Sequence, residues 1–169
     1  FRTSSDTEVL LVAYEAWGVD MLPRLNGQFA FAIWDNRNRS LLLVRDRFGV
    51  RPMFVAESNG DICFASEVKA LFALPGIERQ LDPRALAEIC TYWSPLEPRS
   101  AFAGISSLPP GHVMVAEDGR LRVTRYWDWS FPESVAQCDP GRPEAEYAEE
   151  LRALLVDATR LQLRADVPV

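Results

Sequence analysis

The chain has 169 residues, 48% hydrophobic and 25% charged, a balance that suits one soluble domain, or one plus part of a second, and excludes a disordered composition. Its 24 acidic residues outnumber 18 basic ones for a formal net charge of −6, which gives no general attraction to nucleic acid or to an anionic membrane. No apolar run reaches the ~20 residues that span a bilayer, and the opening FRTSSDTEV lacks a charged-then-apolar signal pattern, so the cytosol is the expected compartment.

Ser5-Asp6-Thr7-Glu8 reads as a capping box, in which the Ser5 hydroxyl accepts from the Glu8 amide while the Glu8 carboxylate returns to the cap amide. The helix it opens carries Val9, Val12, Ala13, Ala16 and Trp17 at the spacing of one buried face, and Gly18 is placed to end it. Asp20 caps a further short turn holding Met21 and Leu22, after which Asn26-Gly27 releases the chain. The period then changes. From Gln28 to Trp34 large Phe29, Phe31 and Ile33 alternate with small Ala30 and Ala32, the pattern of a strand that is apolar on both faces and has a very close neighbour. Asp35 to Arg39 is a polar turn and Ser40 to Arg45 a second strand. Met53 to Ala56 is a third, Ser58-Asn59-Gly60 a hairpin turn and Ile62 to Ala65 a fourth; the short connections predict antiparallel neighbours.

Ser66-Glu67 starts a helix that includes Leu71, and Asp82-Pro83, a cap followed by proline, starts another that runs to about Tyr92. His112 to Ala116 and Leu121 to Arg125 flank Glu117-Asp118-Gly119 as a further hairpin. Ser130 to Arg142 has the proline-rich, small and polar composition of a linker. Pro143 then opens a long helix with Tyr147, Leu151, Leu154, Ala158 and Leu161 on one face, a stripe that needs a partner. A second domain is expected to begin there. With no initiator Met and an end at Asp166-Val167-Pro168-Val169, inside an incoming strand, the chain reads as a segment of a longer protein.

LVRDRFGVRPMF, from Leu43 to Phe54, holds Arg45, Arg47 and Arg51, and guanidinium groups can clamp an anion. The spacing favours structure instead: a strand ends, Asp46 pairs locally with an arginine, Gly49 allows the bend and Pro52 begins an edge. Neither a GxGxxG nor a GxxxxGKS phosphate loop occurs. Asp6 in a first helical turn stabilises the macrodipole without a ligand, although the cap role of Glu8 leaves Asp6 free to receive an ammonium group; spacing favours the former. His112 has no further ligand at metal-binding spacing, so no metal site is predicted. Cys63, Cys90 and Cys138 fit neither a disulfide framework nor a zinc site; Cys63 and Cys90 read as small buried hydrophobes, and no basic neighbour activates Cys138. Tyr92, Trp93, Tyr126, Trp127 and Trp129 read as core or junction aromatics.

In order and approximate spacing, SDTEVLLVAYEAWG, NGQFAFAIWD, LLLVRDRFGVRPMF, FASEVKAL, LPPGH and RYWDW resemble the glutamine-hydrolysing asparagine synthetase family over nearly the whole chain. The resemblance implies an α+β fold. Residues 1–129 would be the C-terminal part of an N-terminal-nucleophile glutaminase domain, an αββα sandwich of two antiparallel sheets. Residues 130–142 would be the linker, and 143–169 the start of an ATP-pyrophosphatase-type synthetase domain. It implies further that an N-terminal cysteine attacks the side-chain amide of glutamine, that ammonia travels inside the protein, and that ATP with Mg2+ activates the aspartate side chain for amide formation. Glutamine, aspartate and ATP are the implied partners, and a homodimer is a family-level expectation.

One site residue carries over: Asp6, as receiver of the glutamine α-amino group. No catalytic, cofactor-binding or metal-binding residue does; the nucleophile and oxyanion donors belong before Phe1, Asn26-Gly27 is only a turn, and the family's SGGLDS loop is not in the chain. Where the family commonly has Lys-Pro-Leu, this chain has Arg51-Pro52-Met53, an arginine shared with phosphoribosyl-type amidotransferases. The alternatives are a repurposed or non-catalytic relative, such as a β-lactam synthetase-like ligase or a binding module, and an amidotransferase with another acceptor.

Overall fold

The computed structural model describes residues 1–3, 5–131 and 141–163. Cys138, most of the linker and Asp166-Val167-Pro168-Val169 lie outside them. In chain order the elements are α1 (Asp6–Trp17), a 3₁₀ helix (Gly18–Arg24), β1 (Ala30–Asp35), β2 (Ser40–Arg45), β3 (Phe54–Ser58), β4 (Asp61–Ala65), α2 (Val68–Leu71), α3 (Pro83–Tyr92), β5 (Ile105–Ser107), β6 (His112–Glu117), β7 (Arg120–Arg125) and α4 (Glu144–Gln162). They fall in two compact units, Phe1–Asp128 and Trp129–Val169.

Two antiparallel sheets make the first unit, one in the order β1-β2-β6-β7 and one in the order β4-β3-β5. Strand alternation divides its core into layers. Leu42 and Val44 of β2, Ile33 of β1 and Val113 of β6 pack with Ala13 of α1 and with Met21 and Leu22 of the 3₁₀ helix. Leu43, on the other face of β2, packs with Val55 of β3 and with Met53 and Leu108, so this layer lies between the sheets. Ala56 of β3 and Ile105 of β5 then pack with Leu71 of α2. The resulting order is helix, sheet, sheet, helix, the α+β sandwich that the resemblance implies.

Local chemistry accounts for the element boundaries. The Asp82 carboxylate caps α3 by accepting from the amides of Arg84 at 2.9 Å and Ala85 at 3.5 Å, and Pro83 needs no donor there. On α1 the inward residues are Leu10, Ala13 and Tyr14, whereas Val9, Val12, Ala16 and Trp17 of the expected face are exposed. This helix is apolar around much of its circumference, so three-and-four spacing matches more than one face. β5 has no strand signal in the sequence; it is three residues long and is defined by its ladder with β3, from Phe54↔Ser107 to Ala56↔Ile105.

A larger difference concerns β2 and β3, which are not neighbours: the connection between them crosses from one sheet to the other. β3 is the inner strand of its sheet, so Pro52 does not introduce an edge. The crossing is built on Asp46, which is fully buried. Its Oδ1 accepts from the amides of Phe48 at 3.0 Å and Val50 at 3.1 Å, and its Oδ2 from those of Arg51 at 3.0 Å and Phe29 at 3.3 Å. Its own amide donates to the Phe29 carbonyl at 2.9 Å, and its carbonyl accepts from Gly49 at 3.1 Å and Gly111 at 2.9 Å. Gly49 has φ 64°, and a Cβ there would come within 2.9 Å of the Arg45 guanidinium and 2.8 Å of Pro110.

In the second unit, α4 has no buried residue, and Tyr147, Leu151, Leu154 and Leu161 of its stripe are exposed. Arg142 ties its first turns together by pairing with Glu150 at 2.6 Å and lying over the Tyr147 ring.

Asp46→Asn keeps the side chain's shape but turns an NH2 group toward two backbone donors. An unmet buried donor costs about 1–3 kcal/mol, so urea unfolding is expected to show a loss of roughly 3 kcal/mol. An unchanged midpoint would contradict the role given to the carboxylate.

Candidate functional site

Asp6 is the first residue of α1, and its side chain is exposed at the positive end of the helix. The adjoining cap differs from the expected box. Ser5 Oγ accepts from the Thr7 amide at 3.2 Å, not from Glu8. The Glu8 carboxylate reaches past the cap: Oε1 accepts from the Arg2 amide at 2.6 Å, and Oε2 accepts from both the amide and the hydroxyl of Thr3 at 2.6 Å. The Thr3 hydroxyl bond, followed by the Arg2 and Thr3 amides, holds the Glu8 carboxyl below the ordinary value of 4.5. Glu8 therefore stays ionised at neutral pH. Among the described residues nothing donates to Asp6, and its carboxylate is left to face solvent or a cation.

The three arginines of LVRDRFGVRPMF do not form an anion clamp. Arg45 is 9% exposed and already spent. Its Nε donates to the Arg51 carbonyl at 3.1 Å, Nη2 to the Gly49 carbonyl at 3.0 Å, and Nη1 to Glu97 at 2.8 Å, Ser107 Oγ at 2.8 Å and the Leu108 carbonyl at 2.7 Å. Arg47 donates through Nη2 to the Pro23 carbonyl at 2.7 Å, and its buried Nε finds no acceptor among the described residues. Arg51 is exposed. Asp46 pairs with none of them; backbone N–H groups meet its charge, and the partner of Arg45 is Glu97, remote in sequence.

Four of the six motifs that carry the resemblance meet at this crossing. Phe29 of NGQF binds Asp46 through both its amide and its carbonyl, and Gly111 of LPPGH donates to the Asp46 carbonyl. The Gly111 carbonyl accepts from the amides of Tyr126 at 2.9 Å and Trp127 at 3.2 Å in RYWDW. Trp127 also stands edge-on to Phe48, with ring centroids 5.2 Å apart. Tyr126 packs on the first core layer and donates its hydroxyl to the Arg45 carbonyl at 2.8 Å.

The other candidates have separate places in the fold. His112 begins β6 and donates through Nδ1 to the Pro110 carbonyl at 2.7 Å. Cys63 is half-buried in the outer layer of the second sheet, while Cys90 is exposed, against expectation. Trp93 is 94% exposed and ends α3 in a left-handed conformation, so it is no core residue; Tyr92 is exposed as well. Among the described residues no group of three or more His, Cys, Asp or Glu is placed to hold a metal.

The glutamine amidotransferase domain family matches residues 1–127. The whole chain aligns with Asparagine synthetase [glutamine-hydrolyzing] 3 of Bacillus subtilis at 36% identity over 170 residues, covering 27% of that protein. It aligns equally with a putative asparagine synthetase [glutamine-hydrolyzing] of Mycobacterium bovis, at 36% over 174 residues and 26% of its length. The chain thus spans about a quarter of the curated relatives it matches. Among solved structures, the glutamine phosphoribosylpyrophosphate amidotransferase of B. subtilis, complexed with ADP and GMP, superposes with a TM-score of 0.49 at 20% identity, over 75% of this chain and 24% of that one.

Burial, with the nearby Asp46 charge adding to it, lifts the Tyr126 phenol from 10.0 to about 12. A folded value above the unfolded one means that the neutral phenol's stabilisation is complete below pH 10 and is lost as pH rises toward 12. In an absorbance titration the last tyrosine step, near pH 12, is expected to vanish in Tyr126→Phe. The same step in that variant would overturn the assignment.

Proposed function

Because this chain belongs to the glutamine amidotransferase family, we propose that it is part of an ATP-dependent, glutamine-hydrolysing asparagine synthetase. In this reading residues 1–129 complete the glutaminase domain, residues 130–142 join it to the next, and residues 143–169 begin the synthetase domain. Glutamine would yield glutamate and ammonia, and the ammonia would become the amide nitrogen of asparagine. Alignment of the whole chain with glutamine-hydrolysing asparagine synthetases is the observation that carries the choice of acceptor.

Within this chain the residue assigned to substrate is Asp6. A glutamine α-ammonium group needs an anionic acceptor, and the exposed carboxylate of Asp6 stands beside one, Glu8, whose oxygens are already occupied. Asp6 stands at the positive end of the α1 macrodipole, a place that suits an anionic side chain whether or not a ligand is bound. ATP and Mg2+ belong to the proposed reaction; among the described residues no group of three or more His, Cys, Asp or Glu is placed to hold the ion. No helix of the described residues is long and apolar enough to cross a membrane.

In the full-length protein, Asp6→Ala is expected to lower kcat/KM for glutamine by roughly tenfold to a hundredfold, the equivalent of one charged hydrogen bond. Synthesis from added ammonia should persist. Equal loss of both activities would contradict the assignment of Asp6 to glutamine.

A further inference from the structure

Arg2 and Thr3, which precede α1, are both bonded to one side chain, and we propose that Glu8 is a positioning residue for the amino-acid substrate at Asp6. This rests on the reading of Asp6 as receiver of the α-ammonium group. Glu8 binds Arg2 and Thr3 through contacts of 2.6 Å, the Thr3 hydroxyl accepts from the Ser5 amide at 3.2 Å, and Ser5 Oγ accepts from the Thr7 amide at 3.2 Å. These bonds run on both sides of Asp6 in sequence and fix the backbone that carries it. None of them uses the Asp6 carboxylate.

The same contacts do little for the fold. Arg2, Thr3 and Ser5 are exposed and belong to none of the core layers. Exposed charged contacts contribute little to stability, because water screens them and ordering the side chain costs entropy. Three short bonds to one carboxylate are therefore better accounted for by the geometry they impose than by the stability they add. They also settle which acid receives the substrate. α1 has two acids in its first turn, Asp6 and Glu8. Glu8 already accepts three neutral donors, whereas Asp6 accepts none among the described residues, so Asp6 is the less committed carboxylate for an incoming ammonium group. A single acceptor at a defined place suits a free α-amino acid.

The test uses the full-length protein, with Glu8→Gln, Thr3→Val and, as reference, Asp6→Ala, each assayed with glutamine and with ammonia. In Glu8→Gln an NH2 group opposes one backbone donor, so the KM for glutamine should rise roughly tenfold, the worth of one charge-assisted bond. Thr3→Val removes only the hydroxyl donor and should raise it about threefold. kcat with glutamine, ammonia-dependent synthesis and the thermal midpoint should stay at the parent values. If Asp6→Ala raises KM while Glu8→Gln and Thr3→Val do not, the positioning role is wrong and the reading of Asp6 stands. If Asp6→Ala leaves glutamine use unchanged, that reading fails and the positioning role falls with it. A joint fall of both activities and of the midpoint in Glu8→Gln would make Glu8 merely structural and overturn the inference.

Discussion

One buried negative charge organises the first unit. Removing a carboxylate from water costs several kcal/mol unless its oxygens are met, and at Asp46 they are met by four backbone N–H groups from Phe29, Phe48, Val50 and Arg51. These donors come from the entrance to β1 and from the crossing between the sheets, so the carboxylate extends the β1-β2 pairing, which ends at Ala30↔Arg45, into the crossing. Its neighbour Arg45 performs the converse task. Alternation along β2 sends Arg45 to the same side as Leu43, into the layer between the sheets, where its guanidinium reaches Ser107 of β5 and Glu97. A backbone-bound anion and a bridging cation, adjacent in sequence, thus fix both the turn and the stacking. Neither would tolerate its partners being removed, because each would leave an unmet charge in a dry place.

Much of this architecture was legible in the sequence, and the failures have a common cause. α3 begins where its cap and proline place it, and the hairpins β1-β2, β3-β4 and β6-β7 follow from short polar turns. The cross-sheet connection after β2 was not legible: a short connection is equally short whether it folds back on its own sheet or passes to another. What decides is the burial of Asp46, and a lone aspartate in a string does not declare its depth. β5 is not legible because its strand character comes from β3, and the inward face of α1 is not because several of its faces are apolar. In each instance the missing information was a contact distant in sequence.

The site divides in the same way. Asp6 was visible through the ordered motif set; spacing alone favoured a purely helical role for it. The capping box correctly marked a helix start but misassigned the bonds of Glu8. A local pattern supplies only local partners, whereas the carboxylate passes over the cap to Arg2 and Thr3. Conversely, LVRDRFGVRPMF has the composition of an anion site and is a structural joint, since its buried arginine and aspartate are committed to the chain itself. A charged residue is available to a ligand only when the fold has left it unspent.

That criterion explains how a joint at one end of the first sheet and a carboxylate on a helix belong to one device. α1 lies on the first sheet through Leu10, Ala13 and Tyr14, and the Tyr14 hydroxyl adds a bond to Asp35 at 3.1 Å, at the far end of β1 from Phe29. β1 is held at its start by Asp46 and at its end by α1, so the helix rests on a strand pinned at both ends. Asp6 sits two turns beyond Tyr14, on a helix that cannot shift along β1 without losing one of those bonds. The placement of an exposed carboxylate is thereby referred back to buried groups, and the lead-in segment held by Glu8 sets only its last step.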